Sequence, residues 1–259
     1  MIRSVRVTKG WPLEKLDAFK PKKPFLFKSG MNVLFGKNGS GKTTLLKIMG
    51  GFSGCPEHGG WSALPERLDK GKKFPGGMVA NAHVGDVSAA VAWDGTATFM
   101  HLAAKSDEPM IAFGMPHDVL DDHDQISVMM SKASSGQGRA IRLSKVLQKI
   151  KLERPDLLKL KPRDYDETGK GFLEYVKKLP RKGPLTVLLD EPERSLDADA
   201  QILFWSRILP AVAKEIQVIV TSHSPFALFV PGANVIDMEL GYSEKTRKLV
   251  GDLLDAWRK

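Results

Sequence analysis

Residues 36–43 read GKNGSGKT, a stretch in which four residues separate the first glycine from Gly-Lys-Thr. This spacing is typical of a phosphate-binding loop (P-loop), because glycines let the backbone curl until its amide hydrogens face a chain of phosphates. The stretch NVLF before it, at residues 32–35, is apolar and of strand type, and KTTLLKIMG, at residues 42–50, has a helical pattern. A glycine-rich loop between a strand and a helix predicts an α/β fold that binds nucleotide phosphates.

The residue types of this loop suit different parts of a nucleotide. In such a loop the lysine reaches the β and γ phosphates, and the hydroxyl that follows it binds magnesium. We therefore predict a phosphate contact for Lys42 and a magnesium contact for Thr43. The predicted nucleotide-binding residues are Gly36, Lys37, Asn38, Gly39, Ser40, Gly41, Lys42, Thr43 and Thr44.

A second motif, LTVLLDEPERSLD at residues 185–197, is an apolar run that ends in two acids. An apolar run without alternation suits a central parallel strand that is buried on both faces. The carboxyl ends of such strands lie where ligands of α/β folds bind. We predict that Asp190 holds Mg²⁺ through water and that Glu191 orients and polarises the attacking water.

A third motif, IQVIVTSHSP at residues 216–225, is another apolar run, and a histidine follows it. A lone histidine after a strand is more often structural than catalytic. This run, however, is of the kind that would lie beside the strand of Asp190. We therefore predict that His223 projects towards the same phosphate edge of the sheet.

Other stretches outline the rest of the fold. Residues 2–8 and 24–28 predict two more strands. VSAAVAW at residues 87–93 and TATFMH at residues 96–101 flank Asp94-Gly95, a pair that suits a type I′ turn. These stretches predict a hairpin, and with it a small antiparallel addition beside the main sheet.

Helical spacing occurs in several places. The helix after the phosphate-binding loop is predicted to stop at Gly50-Gly51. The C-terminal stretch from Glu244 predicts an amphipathic helix that we expect to pack on the core, with docking of a partner as the alternative. Its apolar residues are at positions 249, 250, 253, 254 and 257. Further helices are predicted at residues 136–150, 171–179 and 201–209.

The composition is that of a compact, soluble protein, with 259 residues of which 42% are hydrophobic and 27% charged. No apolar run approaches the length of about eighteen residues that a membrane helix needs, and the N-terminal stretch has no apolar segment of the signal-peptide kind. We expect a cytoplasmic protein without membrane insertion. The single cysteine, Cys55, cannot form an internal disulfide, and with its neighbour His58 it supplies too few ligands for a metal site.

The net charge of +9 is unevenly distributed. Residues 142–182 contain 13 Lys and Arg against 6 Asp and Glu, a net charge of +7. Clustered cations gain free energy by releasing counterions from a phosphate backbone, so this segment would bind DNA, RNA or an acidic partner. A solvated helical face explains the same charges equally well.

These motifs, together with ASSGQG at residues 133–138, resemble those of the ATP-binding cassette (ABC) ATPases, in the same order and over nearly the whole chain. The resemblance implies an ATPase with ATP and Mg²⁺ as its ligands. It implies that Glu191, His223 and Lys42 are catalytic, and that Thr43 and Asp190 hold the metal. The signature is then Ser134, Ser135, Gly136 and Gln137, and the D-loop contains Ser195 and Asp197.

The resemblance also implies a homodimer that forms around two ATP molecules. In the family, the signature of one subunit closes over the γ-phosphate that the P-loop of another subunit holds. A helix is predicted directly after the signature, and the start of a helix aims free amide hydrogens and a positive dipole end at an anion. We therefore expect the signature to act in trans.

The resemblance implies one domain over residues 1–259, a P-loop NTPase with a central, mostly parallel sheet, a small antiparallel β subdomain and a helical lobe. The nucleotide-binding lobe is expected at residues 1–116. The helical lobe, with the signature and the basic insertion, is expected at residues 117–182. The half with the two acids, the D-loop, the histidine and the C-terminal helix is expected at residues 183–259.

Three details resemble the soluble SMC/RecF/OLD-like branch (AAA-family ATPases) more than transporter subunits. Ser135 stands where transporters usually have glycine, DEPE follows the apolar run, and the histidine lies in TSHSP. No sustained heptads for coiled-coil arms occur. The branch implies an ATPase that regulates a nucleic-acid-associated or anti-phage defence effector. The alternatives are the ATP-binding subunit of a membrane transporter and a nucleotide-gated binding module with negligible turnover.

Two features of the family pattern have no clear counterpart. No glutamine occurs between Lys42 and Asp124, so the Q-loop glutamine is not assigned, and Gln125 lies too close to the signature. Trp11, ahead of the phosphate-binding loop, would stack on adenine or belong to the core. Coupling between ATP and the helical lobe therefore has no assigned residue.

Overall fold

The computed structural model describes residues 1–9, 13–20, 23–52, 67–70, 78–84, 87–93, 98–102, 110–111, 186–194 and 196–258. In chain order, the strands in these ranges are β1 (Ile2–Lys9), β2 (Phe25–Leu26), β3 (Met31–Phe35), β4 (Arg67–Lys70), β5 (Met78–Val84), β6 (Val87–Trp93), β7 (Thr98–Leu102), β8 (Met110–Ile111), β9 (Thr186–Asp190), β10 (Gln217–Ser222) and β11 (Asn234–Asp237). The α-helices are α1 (Lys42–Phe52), α2 (Ala198–Leu203), α3 (Leu209–Ala213) and α4 (Tyr242–Trp257), with a π-helical turn at Phe204–Ile208 between α2 and α3.

The main sheet has the order β11-β3-β10-β9-β7-β8. All neighbours in it are parallel except β7 and β8. Every residue of β3, β9 and β10 is buried, as the uniform apolar runs predict for strands covered on both faces. The predicted α/β fold with a mostly parallel sheet and a P-loop between β3 and α1 is confirmed.

The register of the main sheet brings three strand ends together. Ser222 pairs with Phe35, the last residue of β3, and Thr221 pairs with Asp190, the last residue of β9. The loops that follow β3, β9 and β10 therefore leave the sheet at one edge. This is the edge where ligands of open α/β sheets bind.

The second sheet is antiparallel, with the order β2-β1-β6-β5-β4. The antiparallel addition is confirmed, but the predicted hairpin across Asp94-Gly95 is wrong. β6 pairs with β1 and β5, whereas β7 joins the main sheet beside β9. A parallel place beside a buried strand outweighs the local turn preference, because sheet pairing depends on what each strand packs against.

The second sheet contains a hairpin between β5 and β6. Val84 of β5 pairs with Val87 of β6, and only residues 85–86, Gly-Asp, join the two strands. A two-residue connection that begins with glycine suits a type II′ turn. The hairpin of the second sheet thus precedes β6 instead of following it.

Helix α1 continues to Phe52, past its predicted end at Gly50-Gly51. Its apolar residues Leu45, Leu46 and Ile48 are fully buried between the sheets. A glycine costs a helix about 1 kcal/mol relative to alanine, which burial of about one leucine side chain offsets at roughly 1.5–3 kcal/mol. The helix therefore extends through its glycines.

The C-terminal helix α4 begins at Tyr242. The expectation that its apolar face packs on the core is wrong. Leu249, Leu253 and Leu254 are about half exposed and Trp257 is mostly exposed. The amphipathic spacing is present, but spacing alone does not say what covers the apolar face.

Two apolar clusters cover the two faces of the main sheet. One packs Leu34, Leu188 and Ile219 of the main sheet against β1, β6 and α1. The other packs alternate residues of β3, β9 and β10 against the helices between β9 and β10. Gln217, which is buried, joins the two sheets: its side chain bonds both backbone groups of Ile2 at 2.8 Å and accepts from Thr186 Oγ1 at 2.7 Å. The ends of β3, β9 and β10 therefore belong to a sheet that is packed on both faces.

Several predicted features lie outside the described residues, among them the helices at 136–150 and 171–179, the helical lobe, the basic insertion, Cys55 and His58. Among the helices that the structure describes, none has both the length and the apolar character to cross a membrane.

Candidate functional site

The loop at residues 36–43 wraps around the side chain of Lys42. The Lys42 ammonium donates to the backbone carbonyls of Gly36 and Lys37, both at 2.8 Å, and the side chain is 4% exposed. The Leu45 amide donates to the Gly41 carbonyl at 2.9 Å, which begins the hydrogen-bonding pattern of α1. The lysine is thus held at the N-terminal end of α1, where free amide hydrogens attract anions.

Two glycines of the loop lie where no other residue fits. A Cβ on Gly36 would stand 2.8 Å from Ser40 Oγ and 2.9 Å from Met238 Cβ. Gly41 has a φ of +89°, and a Cβ there would meet Phe19 Cε2 at 2.9 Å and Leu16 Cδ1 at 3.0 Å. The loop is therefore curled tightly against residues 13–20, which pack on it from the side of the second sheet.

Thr43 and Asp190 face each other across the loop and the end of β9. The Thr43 hydroxyl donates to both Asp190 carboxylate oxygens, at 2.9 and 3.0 Å. Thr221 Oγ1 on the neighbouring strand donates to Asp190 Oδ1 at 2.5 Å. The carboxylate is thus oriented by two hydroxyls, and its position beside Thr43 places two oxygen ligands for a hard cation together.

Glu191 has the only positive φ, 43°, among the described residues other than glycine. Its amide donates to Thr221 Oγ1 at 2.9 Å and to the Thr221 carbonyl at 3.2 Å, which holds the strained backbone. Strained backbone of this kind concentrates at functional sites, where surrounding contacts enforce it. The turn sends the Glu191 carboxylate back over the loop.

The Glu191 carboxylate lies between two basic side chains. Its Oε1 atom is 3.7 Å from Lys42 Nζ and 3.3 Å from His223 Nδ1. The Glu191 side chain is 20% exposed and His223 is 47% exposed, so this end of the site is open to solvent. The predicted neighbours Lys42, Glu191 and His223 therefore do lie together.

Burial shifts the pKa values of Lys42 and Asp190. Burial lowers the pKa of Lys42, opposed by the negative charges of Glu191 and Asp190. Burial raises the pKa of Asp190, opposed by the hydrogen bonds from Thr221 and Thr43. A buried lysine beside two carboxylates is a typical arrangement of a site whose charges are completed by a ligand.

Sequence reasoning did not single out Glu193, which is 2% exposed. Ser222 Oγ donates to Glu193 Oε1 at 2.5 Å, whereas Glu193 Oε2 is buried and has no hydrogen-bond partner in the described part of the chain. Burial raises the pKa of Glu193, opposed by the hydrogen bond from Ser222. The second glutamate of DEPE was the available signal, because a buried carboxylate close to the end of a buried strand costs free energy unless other groups bind it.

Two residues that the sequence did not indicate, Glu239 and Tyr242, lie beside the start of the loop. The Lys37 ammonium is 2.8 Å from Glu239 Oε1 and 5.3 Å from the centre of the Tyr242 ring, which stacks on Phe35 at 5.4 Å. The hydrogen bond to Glu239 raises the pKa of Lys37. These contacts join the phosphate-binding loop to the start of α4.

The remaining predicted site residues are placed as follows. Asn38 and Gly39 are exposed on the loop, and Thr44 is half-buried on α1. Ser40 Oγ is buried and has no hydrogen-bond partner among the described residues. Asp197 caps α2, because its Oδ1 accepts from the Ala200 amide at 2.8 Å. Ser134, Ser135, Gly136, Gln137, Ser195, Trp11 and Gln125 lie outside the described residues.

Comparison with protein-family models gives no match, and neither does comparison with curated proteins. Three solved structures are similar over 92% of the chain. A metal-chelate type ABC transporter in an inward-facing conformation has 14% identity, a TM-score of 0.41 and 81% of its chain covered. A dimeric ATP-binding cassette with ADP and phosphate, in a post-hydrolysis state, has 16% identity, a TM-score of 0.35 and 95% covered. The SMC head domain from Thermotoga maritima has 14% identity, a TM-score of 0.34 and 96% covered.

Proposed function

We propose that this protein is an ABC-type ATPase that binds and hydrolyses ATP at the edge formed by β3, β9 and β10. One observation carries the proposal: Glu191 Oε1 lies within 3.7 Å of Lys42 Nζ and 3.3 Å of His223 Nδ1, beside the Thr43–Asp190 pair. A phosphate-binding lysine, a metal-binding pair and a carboxylate that activates water are the components that phosphoryl transfer to water requires.

The loop fits a chain of phosphates by its own geometry. Its curled backbone has glycines with positive φ at Gly39 and Gly41 and leads into α1, and loops of this kind present backbone amides to phosphates. The buried Ser40 hydroxyl, which lacks a partner within the described residues, adds an unused donor. Lys42 is already held at the loop by two carbonyls and would contribute its charge without a large rearrangement.

Mg²⁺ fits the pair of Thr43 and Asp190. A hydroxyl and a carboxylate already within 3.0 Å of each other are the oxygen ligands that Mg²⁺ prefers, and it usually takes its remaining ligands from phosphate and water. The bound ion would neutralise charge on the phosphates. Asp190 is kept oriented for this task by Thr43 and Thr221.

Glu191 would orient and polarise the attacking water. Its carboxylate is accessible to solvent but fixed by the strained turn and by the two amide hydrogen bonds to Thr221. His223, which follows the end of β10, lies on the other side of the carboxylate. Its imidazole would bind the γ-phosphate or the attacking water. Both roles need only small motions, because both side chains already border the loop.

We propose that two copies work together, with Ser134, Ser135, Gly136 and Gln137 of one copy acting on the ATP of the other. Asp197 and Ser195 would lie at the contact between the copies. The position of Asp197 at the start of α2, only a few residues after Glu191, supports this, because a contact there would reach the catalytic carboxylate through one short loop.

For the cellular role, we propose an armless member of the SMC/RecF/OLD-like branch that regulates a nucleic-acid-associated or anti-phage defence effector. The basic segment at residues 142–182 supports a DNA or RNA contact. The second candidate, the ATP-binding subunit of a membrane transporter, rests on the motifs that both branches share. ATPase stimulation by DNA or RNA that high salt abolishes favours the first. Co-purification with a polytopic membrane protein favours the second.

The direct test of the activity is hydrolysis of ATP by the purified protein with Mg²⁺, at protein concentrations high enough for dimers to form. We expect phosphate release that depends on Mg²⁺ and that Glu191→Gln slows by about a hundredfold or more. Binding of ATP without phosphate release by the wild-type protein would instead identify a nucleotide-gated binding module. Absence of ATP binding would contradict the proposal.

A further inference from the structure

The His223 side chain is only loosely held in the site. Its imidazole is 47% exposed, and its Nδ1 atom lies 3.3 Å from Glu191 Oε1. An exposed side chain gains mobility at little cost, so its position depends on the backbone that carries it. That backbone lies between two buried serines, Ser222 and Ser224, which are 0% and 5% exposed.

One hydroxyl joins the two sides of the histidine. Ser222 Oγ accepts from the Ser224 amide at 2.9 Å and donates to Glu193 Oε1 at 2.5 Å. The backbone before and after His223 is therefore tied to a single buried carboxylate. Glu193 lies in the same loop as Glu191, two residues further along the chain.

A second hydrogen bond holds the far side of the histidine. Ser224 Oγ donates to Gln201 Oε1 at 2.9 Å, and Gln201 Nε2 donates to the Leu196 carbonyl at 3.1 Å. The Leu196 amide in turn donates to the Glu193 carbonyl at 3.0 Å. The hydrogen bonds form a closed ring that joins the histidine segment to the loop of Glu191.

We propose that Glu193 and Gln201 are positioning residues for His223. Glu193 acts through Ser222, and Gln201 acts through Ser224. Together they fix the histidine backbone relative to the loop of Glu191, and so they keep the imidazole beside that carboxylate. The inference rests on the proposed ATPase activity and deepens it, because it names residues on which the geometry of hydrolysis depends without contact to ATP.

The burial of Glu193 supports a task of this kind. Desolvating a carboxyl group is costly, and a residue with a purely space-filling role would be apolar. In the described part of the chain Glu193 has no ion pair, and its Oε1 accepts a hydrogen bond from Ser222 Oγ. What the side chain supplies is thus an acceptor for Ser222, which an amide oxygen would supply as well.

The test measures kcat and KM for ATP in Glu193→Ala, Glu193→Gln, His223→Ala and the double variant Glu193→Ala/His223→Ala. We expect Glu193→Ala to lower kcat by about tenfold or more, since small misplacements of catalytic groups are costly, with KM changed less than about twofold. Glu193→Gln should keep kcat within about threefold of the wild type, because its amide oxygen accepts the same hydrogen bond. The double variant should be no slower than His223→Ala alone.

Asn32→Ala is the matched control. Asn32 is also fully buried and holds backbone through hydrogen bonds to Lys28 and Gly30, but at the opposite end of β3. It should lower the melting temperature without lowering kcat. If Glu193→Ala does not fold, Gln201→Ala and Gln201→Ala/His223→Ala replace it, with the same expected loss of kcat and the same non-additivity.

Two results would overturn the inference. One is an unchanged kcat in Glu193→Ala, or in Gln201→Ala where that variant replaces it. The other is a double variant whose loss is the product of the two single losses, which would mean that the positioning residue acts independently of His223. Both results require an active wild-type protein. Absence of hydrolysis by the wild type would overturn the proposed function, and this inference with it.

Discussion

Glu191 and His223 meet at the ends of two neighbouring parallel strands, with Glu191 Oε1 3.3 Å from His223 Nδ1. The pairing of Thr221 with Asp190 brings these ends together, because each of the two side chains follows its paired residue by one or two positions. The same Glu191 oxygen is 3.7 Å from Lys42 Nζ. The Glu191 carboxylate, which follows β9, thus lies close to both Lys42 in the loop region after β3 and His223 after β10.

Replacement of Glu191 by glutamine should separate binding from hydrolysis. The amide keeps the size of the side chain but is a poor base, so single-turnover phosphate release should slow by about a hundredfold or more, while ATP binding persists. Glu244→Gln, on the exposed first turn of α4, is the control and should leave the rate unchanged. Hydrolysis by Glu191→Gln at the wild-type rate would show that another group activates the water.

Lys42→Ala should weaken ATP binding strongly. Lys42 is the buried cation that the loop holds through the carbonyls of Gly36 and Lys37, and its removal leaves the loop without its charge. Loss of a hydrogen-bonded charge contact costs about 1.5–3 kcal/mol, or roughly tenfold to a hundredfold in affinity. Titration with a fluorescent ATP analogue measures it, with Lys245→Ala on α4 as the control. Unchanged affinity in Lys42→Ala would contradict the phosphate role of the loop.

Thr43 should control the dependence on Mg²⁺. Thr43→Ala removes the hydroxyl that donates to Asp190, whereas Thr43→Ser keeps it. We expect the Mg²⁺ concentration for half-maximal hydrolysis to rise about tenfold or more in Thr43→Ala, the effect of losing roughly 1.4 kcal/mol of ligand binding, and to stay near the wild-type value in Thr43→Ser. Equal Mg²⁺ dependence in both variants would remove Thr43 from the metal site.

Glycine substitutions in the P-loop should differ in stability. Gly39 and Gly41 both have positive φ, but a Cβ on Gly39 meets nothing within 4 Å, whereas one on Gly41 meets Phe19. Gly39→Ala should cost about 1 kcal/mol of unfolding free energy for backbone strain. Gly41→Ala should cost about 1–3 kcal/mol more for overpacking. Urea denaturation measures both, and equal losses would show that residues 13–20 do not pack on the loop.

Glu193 should make stability depend on pH. Burial raises its folded pKa above the ordinary value of 4.5, with Glu191 adding to the shift and Ser222 and His223 opposing it. A raised carboxyl pKa favours the folded protein at low pH, and this advantage is lost as pH rises through the folded pKa. The melting temperature of Glu193→Gln relative to wild type should therefore increase between pH 4.5 and neutral pH. A constant difference over that range would mean that the Glu193 pKa is not raised.

The central sheet and the placement of the main site residues could be predicted from the sequence. Lys42, Asp190 and His223 follow apolar runs that are typical of central parallel strands, and the carboxyl ends of such strands lie at one edge of the sheet. Glu193 and Gln201 could not. Their importance arises from hydrogen bonds to Ser222 and Ser224, which come together only when loops from different strands meet. Sequence motifs indicate residues that contact a ligand. They rarely indicate residues that only position other residues.

Two of the wrong expectations, the hairpin and the packing of α4, have a common physical cause. Asp94-Gly95 favours a turn locally, yet β7 pairs with β9 instead of β6. The spacing of α4 shows an apolar face, yet Leu253 and Trp257 are exposed. In both cases the local pattern is present in the sequence. What the strand or helix packs against, however, depends on distant parts of the chain.

We propose that ATP is held between two copies of the chain, and the molecular mass of Glu191→Gln with ATP and Mg²⁺ tests this arrangement. Light scattering should give one chain's mass without nucleotide and twice that mass with ATP. Addition of Ser134→Ala should lower the dimer fraction while leaving ATP binding intact. A Glu191→Gln protein that is saturated with ATP and still has the mass of a single chain would contradict the account.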